Sequence, residues 1–467
     1  MKLLAGAPAP PGAETPVTRD PAHGRTPGAG AGYGAPVSPR PTRRGLLLGG
    51  AAAALAGTGT GAALLDRARH AEIDLYSETV ALAAPGEREL VPAGRSELVV
   101  PGTRVLAGRP HTGRLVEEEQ AWLEGVAGWA RRDDDVLRAA LLDLHVLTTG
   151  LPAPVAGWSR RWRYTWPRDT AFVASALARL GHGPLAVAHL GFLRDVQRED
   201  GWFEARYDLT TRAAPDDRDA QLDGSGWVLW AADEVLRHTR EDVVALLAPL
   251  RPMLVRSTSL LLSTSDPGTG LPPPSSDYWE LVEDTLTLGT ATAVLAGLRG
   301  AQRVLPYVGE RALADQAAVA ADRLGGAVRE GFAADGYPRL LGGAAPDAAV
   351  TFLVPPIGDP DPDLEVLIAV DRAQTALARP AGGLAPGASW KRDGISWTPE
   401  TALFAAAWAA NGHPGKAEAL LDWLGAHRTA AGSFPEKVLH DGRPAAVAPL
   451  AWTAALVVMA RHELVAG

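Results

Sequence analysis

The chain has 467 residues, 46% of them hydrophobic and 21% charged, enough apolar material for a large core. Its net charge is −9; residues 1–65 carry +4, leaving −13 on the remainder, a poor match for a nucleic-acid phosphate backbone. Cysteine is absent, which excludes disulfides, thiolate catalysis, iron–sulfur clusters and a lipidated cysteine.

Residues 1–42 are rich in Pro, Gly and Ala without apolar periodicity, and are expected to be disordered. Arg43-Arg44 then precedes Gly45–Leu65, which carries no charge. Residues 43–65 resemble a twin-arginine export signal, with small residues around Thr58–Ala63 that suit a signal peptidase. A retained anchor is the alternative, because 21 uncharged residues can span a bilayer. The arginines before the segment keep that side inside, so either reading places the body outside the cytoplasm. Residues 66–112 hold short strand-like runs, Glu97–Val100 and Arg104–Leu106, broken by Pro101-Gly102; they read as a linker or a short β segment.

From residue 113 to 467 the pattern is helical. Phe172, Val173, Ala176, Leu177 and Leu180 share one helix face. Comparable stretches recur at 133–148, 184–197, 221–238, 241–263, 285–304, 309–330, 398–411, 414–427 and 449–464, with no run of alternating strands between them. One unit repeats. Gly181-His182, a Pro- and Ala/Leu-bearing helix, and Gly201-Trp202-Phe203 match Gly412-His413, a second such helix, and Gly432-Ser433-Phe434. The first and last Gly are 20 residues apart in both copies, which suggests helices stacked in a ring or solenoid.

Four clusters carry candidate chemistry. In Tyr164-Thr165-Trp166-Pro167-Arg168-Asp169-Thr170, Pro167 makes Trp166 extended and Asp169 or Thr170 suits a helix N-cap. Arg168 and Asp169 also suit sugar hydroxyls. Gln221-Leu222-Asp223 offers further hydroxyl ligands, or a polar seam between helices. In Asp277-Tyr278-Trp279-Glu280, a carboxyl beside aromatic rings is desolvated and kept protonated, as a general acid requires; the alternative is an ionised acid at a helix start. Glu436 follows Phe434-Pro435, in irregular backbone, and is otherwise read as a surface partner of Lys437. A weaker segment is Trp390-Lys391-Arg392-Asp393, with Trp397. The 14 Trp, 12 of them at or after Trp158, serve as core packing or as platforms for sugar rings. No metalloprotease, P-loop or nucleophile-elbow motif is present, so neither metal nor cofactor is expected.

Taken in order, these clusters resemble glycoside hydrolase family 15, the glucoamylase-like enzymes, over roughly residues 115–465. Arg163–Asp169 is similar to the family's aromatic-Trp-x-Arg-Asp motif, Gln221–Asp223 to its Gln-Leu-Asp segment, and Asp277–Glu280 to its Asp-Leu-Trp-Glu. Phe434-Pro435-Glu436 with Pro449-Leu450-Ala451-Trp452 is similar to Leu-Pro-Glu-Gln and the later Pro-Leu-x-Trp. The resemblance implies an all-α (α/α)6 barrel, Glu280 as general acid and Glu436 as general base. It implies substrate contacts from Tyr164, Trp166, Arg168, Asp169, Gln221, Asp223, Trp279, Arg392 and Trp452, and inverting release of β-glucose from α-glucan ends. Trehalose or isomaltose-type substrates, or a silent glycan-binding toroid, are the alternatives. The partner implied is an oligosaccharide or polysaccharide. Leu281 stands where the family often has a second Glu, and Lys437 where Gln is usual.

Overall fold

Apolar residues that wrap all the way round a helix mark it as fully enclosed, whereas a single apolar stripe marks a helix with one face in water. Both kinds alternate along this chain in the computed structural model, which describes residues 70–130 and 133–466. The expected disordered stretch 1–42 and export segment 43–65 lie outside the described residues.

The helices are α1 (Thr112–Gly125), α2 (Asp135–Thr148), α3 (Pro167–Arg179), α4 (Gly183–Val196), α5 (Asp223–His238), α6 (Val243–Leu247), α7 (Arg251–Thr264), α8 (Leu288–Val304), α9 (Arg311–Phe332), α10 (Leu364–Leu377), α11 (Thr398–Ala410), α12 (Pro414–Ala426) and α13 (Ala451–Ala466). A 3-10 helix, Ala348–Leu353, lies between α9 and α10. Every residue of α3 is buried, as is nearly all of α5 and α11. By contrast α9 buries only Ala314, Ala317, Ala321, Leu324, Val328 and Phe332, one stripe at helical spacing.

Packing closes the enclosed elements into a ring. Helix α3 packs on α5, α5 on α8, α8 on the 3-10 helix, the 3-10 helix on α11, α11 on α13, and α13 back on α3. The outer layer is α4 on α3, α7 on α5, α9 on α8, α10 on the 3-10 helix, α12 on α11, and α2 on α13. This is the expected (α/α)6 arrangement, with one difference: a six-residue 3-10 helix takes the fifth inner place. Ala348-Ala349-Val350-Thr351-Phe352-Leu353 is too short to show a helical period, so the sequence reading did not mark it.

The α5–α8 crossing depends on glycine. A Cβ at Gly226 would stand 2.2 Å from the Ala293 carbonyl oxygen, and one at Gly297 2.5 Å from the Gly226 Cα. Only the missing side chains let these two backbones meet.

Within 66–112 the chain forms an antiparallel hairpin, β1 (Thr79–Ala84) and β2 (Glu87–Val91), with Thr79 opposite Val91. The segment is not a loose linker. Ser77 Oγ donates to the Ala448 carbonyl, Thr429 Oγ1 donates to the Glu78 carbonyl, and Leu75 bridges Ala446. A second sheet orders β3 (Ser396–Trp397), β4 (Lys437–Val438) and β5 (Pro444–Ala445) as β3-β4-β5, antiparallel throughout. Strands of two residues show no alternation, which is why the sequence reading expected none.

Candidate active site

Three inner helices begin at one cavity of about 370 Å³. The start of α3 brings Trp166, Arg168 and Asp169, the start of α11 brings Pro399 and Glu400, and the start of α13 brings Leu450 and Trp452. Helix N-termini carry unpaired N–H groups and partial positive charge, so this end of the ring favours carboxylates and polar ligands. Glu280 and Glu436 both line the same cavity.

The first motif folds as its proline predicts. Trp166 is the extended N-cap of α3, with φ −95° and ψ 137°, and Pro167 opens the helix. Asp169 is therefore not the cap, as the sequence suggested, and neither is Thr170; no side chain caps this helix. Asp169 faces the cavity instead, and burial lifts its carboxyl to about 7 against the opposing pull of Arg168. Arg168 Nη1 donates to Asp223 Oδ2 at 2.6 Å, and its Nη2 donates to Glu280 Oε1 at 2.7 Å. Its guanidinium also lies 5.9 Å from the Trp452 ring.

Glu280 does not sit at a helix start, since α8 begins at Leu288. It ends a turn in which its N–H donates to the Asp277 carbonyl, and its φ is +57°, a conformation costly for a residue with a side chain. Arg339 holds the turn by donating to both oxygens of Asp277 at 3.0 Å, and its guanidinium stacks 3.6 Å from the Trp279 ring. Tyr278 Oη donates to Asp347 at 2.5 Å and lies 3.0 Å from the Pro386 carbonyl oxygen. Both carboxylate oxygens of Glu280 accept from guanidinium groups, Oε1 from Arg168 and Oε2 from Arg218 at 2.8 Å.

Glu436 is fixed from two sides. Its N–H donates to the Val447 carbonyl and its own carbonyl accepts from the Thr398 N–H. Thr398 Oγ1 donates to the preceding Pro435 carbonyl. Further back, Phe434 N–H and Ser433 Oγ donate to the buried Asp143, whose partner Arg104 also donates to the Ala431 carbonyl. The carboxyl of Glu436 accepts from Trp162 Nε1 at 3.4 Å, and Lys437 Nζ lies 3.2 Å from its Oε2. The pairing with Lys437 that the sequence offered as an alternative thus exists, at the cavity wall.

Not every expected ligand reaches the wall. Asp223 is buried behind Arg168 and also accepts from Trp227 Nε1, so it holds the arginine in place. Gln221 is buried and bridges Phe203 through its backbone. Tyr164 stands edge-on to Trp166, with Arg206 over both rings. Arg392 is placed elsewhere, in a separate hollow with His70 and Arg379, although its neighbour Trp390 lines the cavity. The sequence reading missed Arg161, Trp162, Arg206, Arg218 and Glu400, all on the wall. Adjacency of Arg161-Trp162 to the first motif was the only available signal.

A cavity walled by Trp162, Trp166, Trp279, Trp390, Trp397 and Trp452, with four carboxyl groups, of which Glu280 is held by Arg168 and Arg218, offers flat apolar faces beside converging polar groups. That combination suits rings carrying hydroxyls.

No family model matches the chain, and no curated protein sequence matches it. Solved structures share its fold. A wild-type glycosidase is 21% identical, with a TM-score of 0.60 over 74% of this chain and 98% of its own. A bacterial glucoamylase complexed with acarbose is 15% identical, with a TM-score of 0.63 over 76% of this chain and 59% of its own. The glucoamylase from Saccharomycopsis fibuligera is 13% identical, with a TM-score of 0.57 over 71% and 94%. At these identities the likeness is one of fold: the chain is built as the glucoamylase-like glycosidases are built.

Proposed function

We propose that the protein is an inverting, exo-acting α-glucoside hydrolase that releases β-glucose from non-reducing ends. The observation that carries this reading is the meeting of Glu280 and Glu436, remote in sequence, on one aromatic-lined cavity. The glucoamylase-like fold and the acarbose complex of one protein sharing it support a saccharide as the substrate.

In this mechanism Glu280 gives its proton to the leaving glycosidic oxygen, and Glu436 removes one from a water on the opposite face of the ring. Arg168 and Asp169 hold hydroxyls of the terminal sugar, which places the scissile bond. Trp162 orients the carboxylate of Glu436. For this, the half-exposed Arg218 leaves Oε2 of Glu280, that oxygen takes a proton from solvent in its place, and the resulting O–H turns to the leaving oxygen.

Maltose, maltooligosaccharides, isomaltose, dextran and trehalose form the test panel. Wild type should cleave at least one α-glucoside, and Glu280→Gln or Glu436→Gln should lower kcat by about 10²–10⁴-fold with binding retained. A wild type that binds these sugars and cleaves none would make the protein a glycan-binding toroid; preference for trehalose or isomaltose would redefine its linkage. We also propose that it acts outside the cytoplasm, on the strength of Arg43-Arg44 and the uncharged Gly45–Leu65. Retention in the cytoplasm of cells with a working twin-arginine translocase would refute this.

A further inference from the structure

Glu400 is the third residue of α11, after Thr398 and Pro399. Its helix start and Glu436 share one framework, because Thr398 binds the backbone carbonyls of both Pro435 and Glu436. Glu400 lines the cavity yet is only 2% exposed, and its Oε2 has no hydrogen-bond partner. The two carboxyls assigned to proton transfer stand beside cations: Glu280 accepts from Arg168 and Arg218, and Glu436, whose Oε2 also makes no hydrogen bond, has Lys437 Nζ 3.2 Å from that oxygen. No ion pair joins Glu400 to a cation among the described residues.

An enclosed carboxyl without a counter-charge is expensive as an anion and tolerable as a neutral acid, which then carries an O–H that needs an acceptor. Burial, reinforced by Glu436 on the adjoining loop and Asp347 before the 3-10 helix, pushes Glu400 up to about 8, with Lys437 on β4 opposing. The neutral form is thus available at pH 7. It can donate a hydrogen bond, which a carboxylate anion cannot.

We propose that Glu400 is a fourth substrate-contacting carboxyl of the site, beside Asp169, Glu280 and Glu436, donating a hydrogen bond to a hydroxyl of the sugar lodged beside Glu436 and so selecting for that hydroxyl. The proposal rests on the hydrolase reading. It makes Glu400 a specificity-determining residue, and it assigns no proton transfer to it.

The test uses wild type, Glu400→Gln and Glu400→Ala, with acarbose binding by calorimetry at pH 7 beside turnover on the cleaved α-glucoside. The amide keeps a neutral donor of the same shape, so Glu400→Gln should bind within about threefold of wild type. Glu400→Ala should bind about 10–100-fold more weakly and raise KM more than it lowers kcat. Melting temperature against pH gives a readout that needs no ligand. The folded-state pKa lies above the unfolded one near 4.5, so the stability Glu400 contributes is present below pH 4.5 and is lost as pH rises from there to about 8. The melting temperature of Glu400→Gln should climb relative to wild type across that window. Alanine binding like wild type, glutamine losing as much as alanine, or a flat melting difference would each overturn the proposal. If wild type neither binds nor cleaves, the hydrolase reading falls; if wild type does both and Glu400→Ala matches it, only this inference falls.

Discussion

Arg168 reaches two carboxylates at once, the buried Asp223 and the cavity-facing Glu280. Only a forked guanidinium serves both; an ammonium is a single point charge. Arg168→Lys should therefore lower kcat/KM by about 10–100-fold, the equivalent of one lost charge-assisted hydrogen bond of about 1.5–3 kcal/mol. Steady-state kinetics with the cleaved glucoside decide it, and an unchanged kcat/KM would show that the clamp has no part in turnover. The residues legible in the sequence share a circumstance: Trp166, Arg168, Asp169, Trp279, Glu280, Glu436 and Trp452 lie in or next to proline- or aromatic-marked junctions. Arg206 and Arg218 were not legible, because they arrive from a loop without periodicity. Glu400 was hidden as an ordinary helix-start acid in Thr-Pro-Glu-Thr. Arg392 misled because its neighbour Trp390 does belong to the wall, while its own side chain lines another hollow.

At the scale of elements, the α5–α8 crossing sets how closely the inner ring can draw in. Gly226→Ala inserts a methyl against the Ala293 backbone and should destabilise by at least about 1–3 kcal/mol. Gly326→Ala, on the outer helix α9 with nothing within 4 Å of its added Cβ, should instead stabilise by about 0.5–1 kcal/mol. Chemical denaturation of the two variants tests the contrast; equal effects would mean the crossing is not close-packed as described. The strongly patterned helices were legible, and so was the repeat. Gly181 and Gly412 both have positive φ at the turn from an inner to an outer helix, and Gly201 and Gly432 do so after it. Helix α10 escaped notice because exposed Leu364 and Ile368 blur its stripe of Val366, Ala369, Val370, Ala373 and Leu377. The hairpin β1–β2 was not legible: the strand-like runs lie at Glu97–Val100 and Arg104–Leu106, where the chain forms a 3-10 helix, Ser96–Leu98, and isolated bridges, and the bonds of Ser77, Glu78 and Thr79 to residues 429–448 join partners more than 330 positions away, which no local pattern encodes.

The two ends of the ring are differentiated by the direction of its inner helices. The N-termini of α3, α11 and α13 open on the cavity. At the opposite ends of α3, α5 and α13, Arg179 pairs with Glu234 and Glu463, alongside His238 and His462. Burial, with Arg179 adding to it, depresses His238 to about 4. The unfolded chain therefore takes up this proton near pH 6.5, while the folded protein resists it until about 4. The stability this histidine contributes is present above pH 6.5 and is lost as the pH falls toward 4. His238→Gln should shrink the acid-induced loss of unfolding free energy between pH 6.5 and 4; an undiminished loss would place its origin elsewhere.

The central claim is that two glutamates act across one cavity to hydrolyse an α-glucosidic bond with inversion. Proton NMR of the first minutes of cleavage of maltooligosaccharides, or of whichever α-glucoside the panel selects, reads the anomer released before mutarotation blurs it. β-Glucose should appear first, and wild type but not Glu436→Gln should produce it. Initial release of α-glucose, or no glucose from any α-glucoside, would contradict the account.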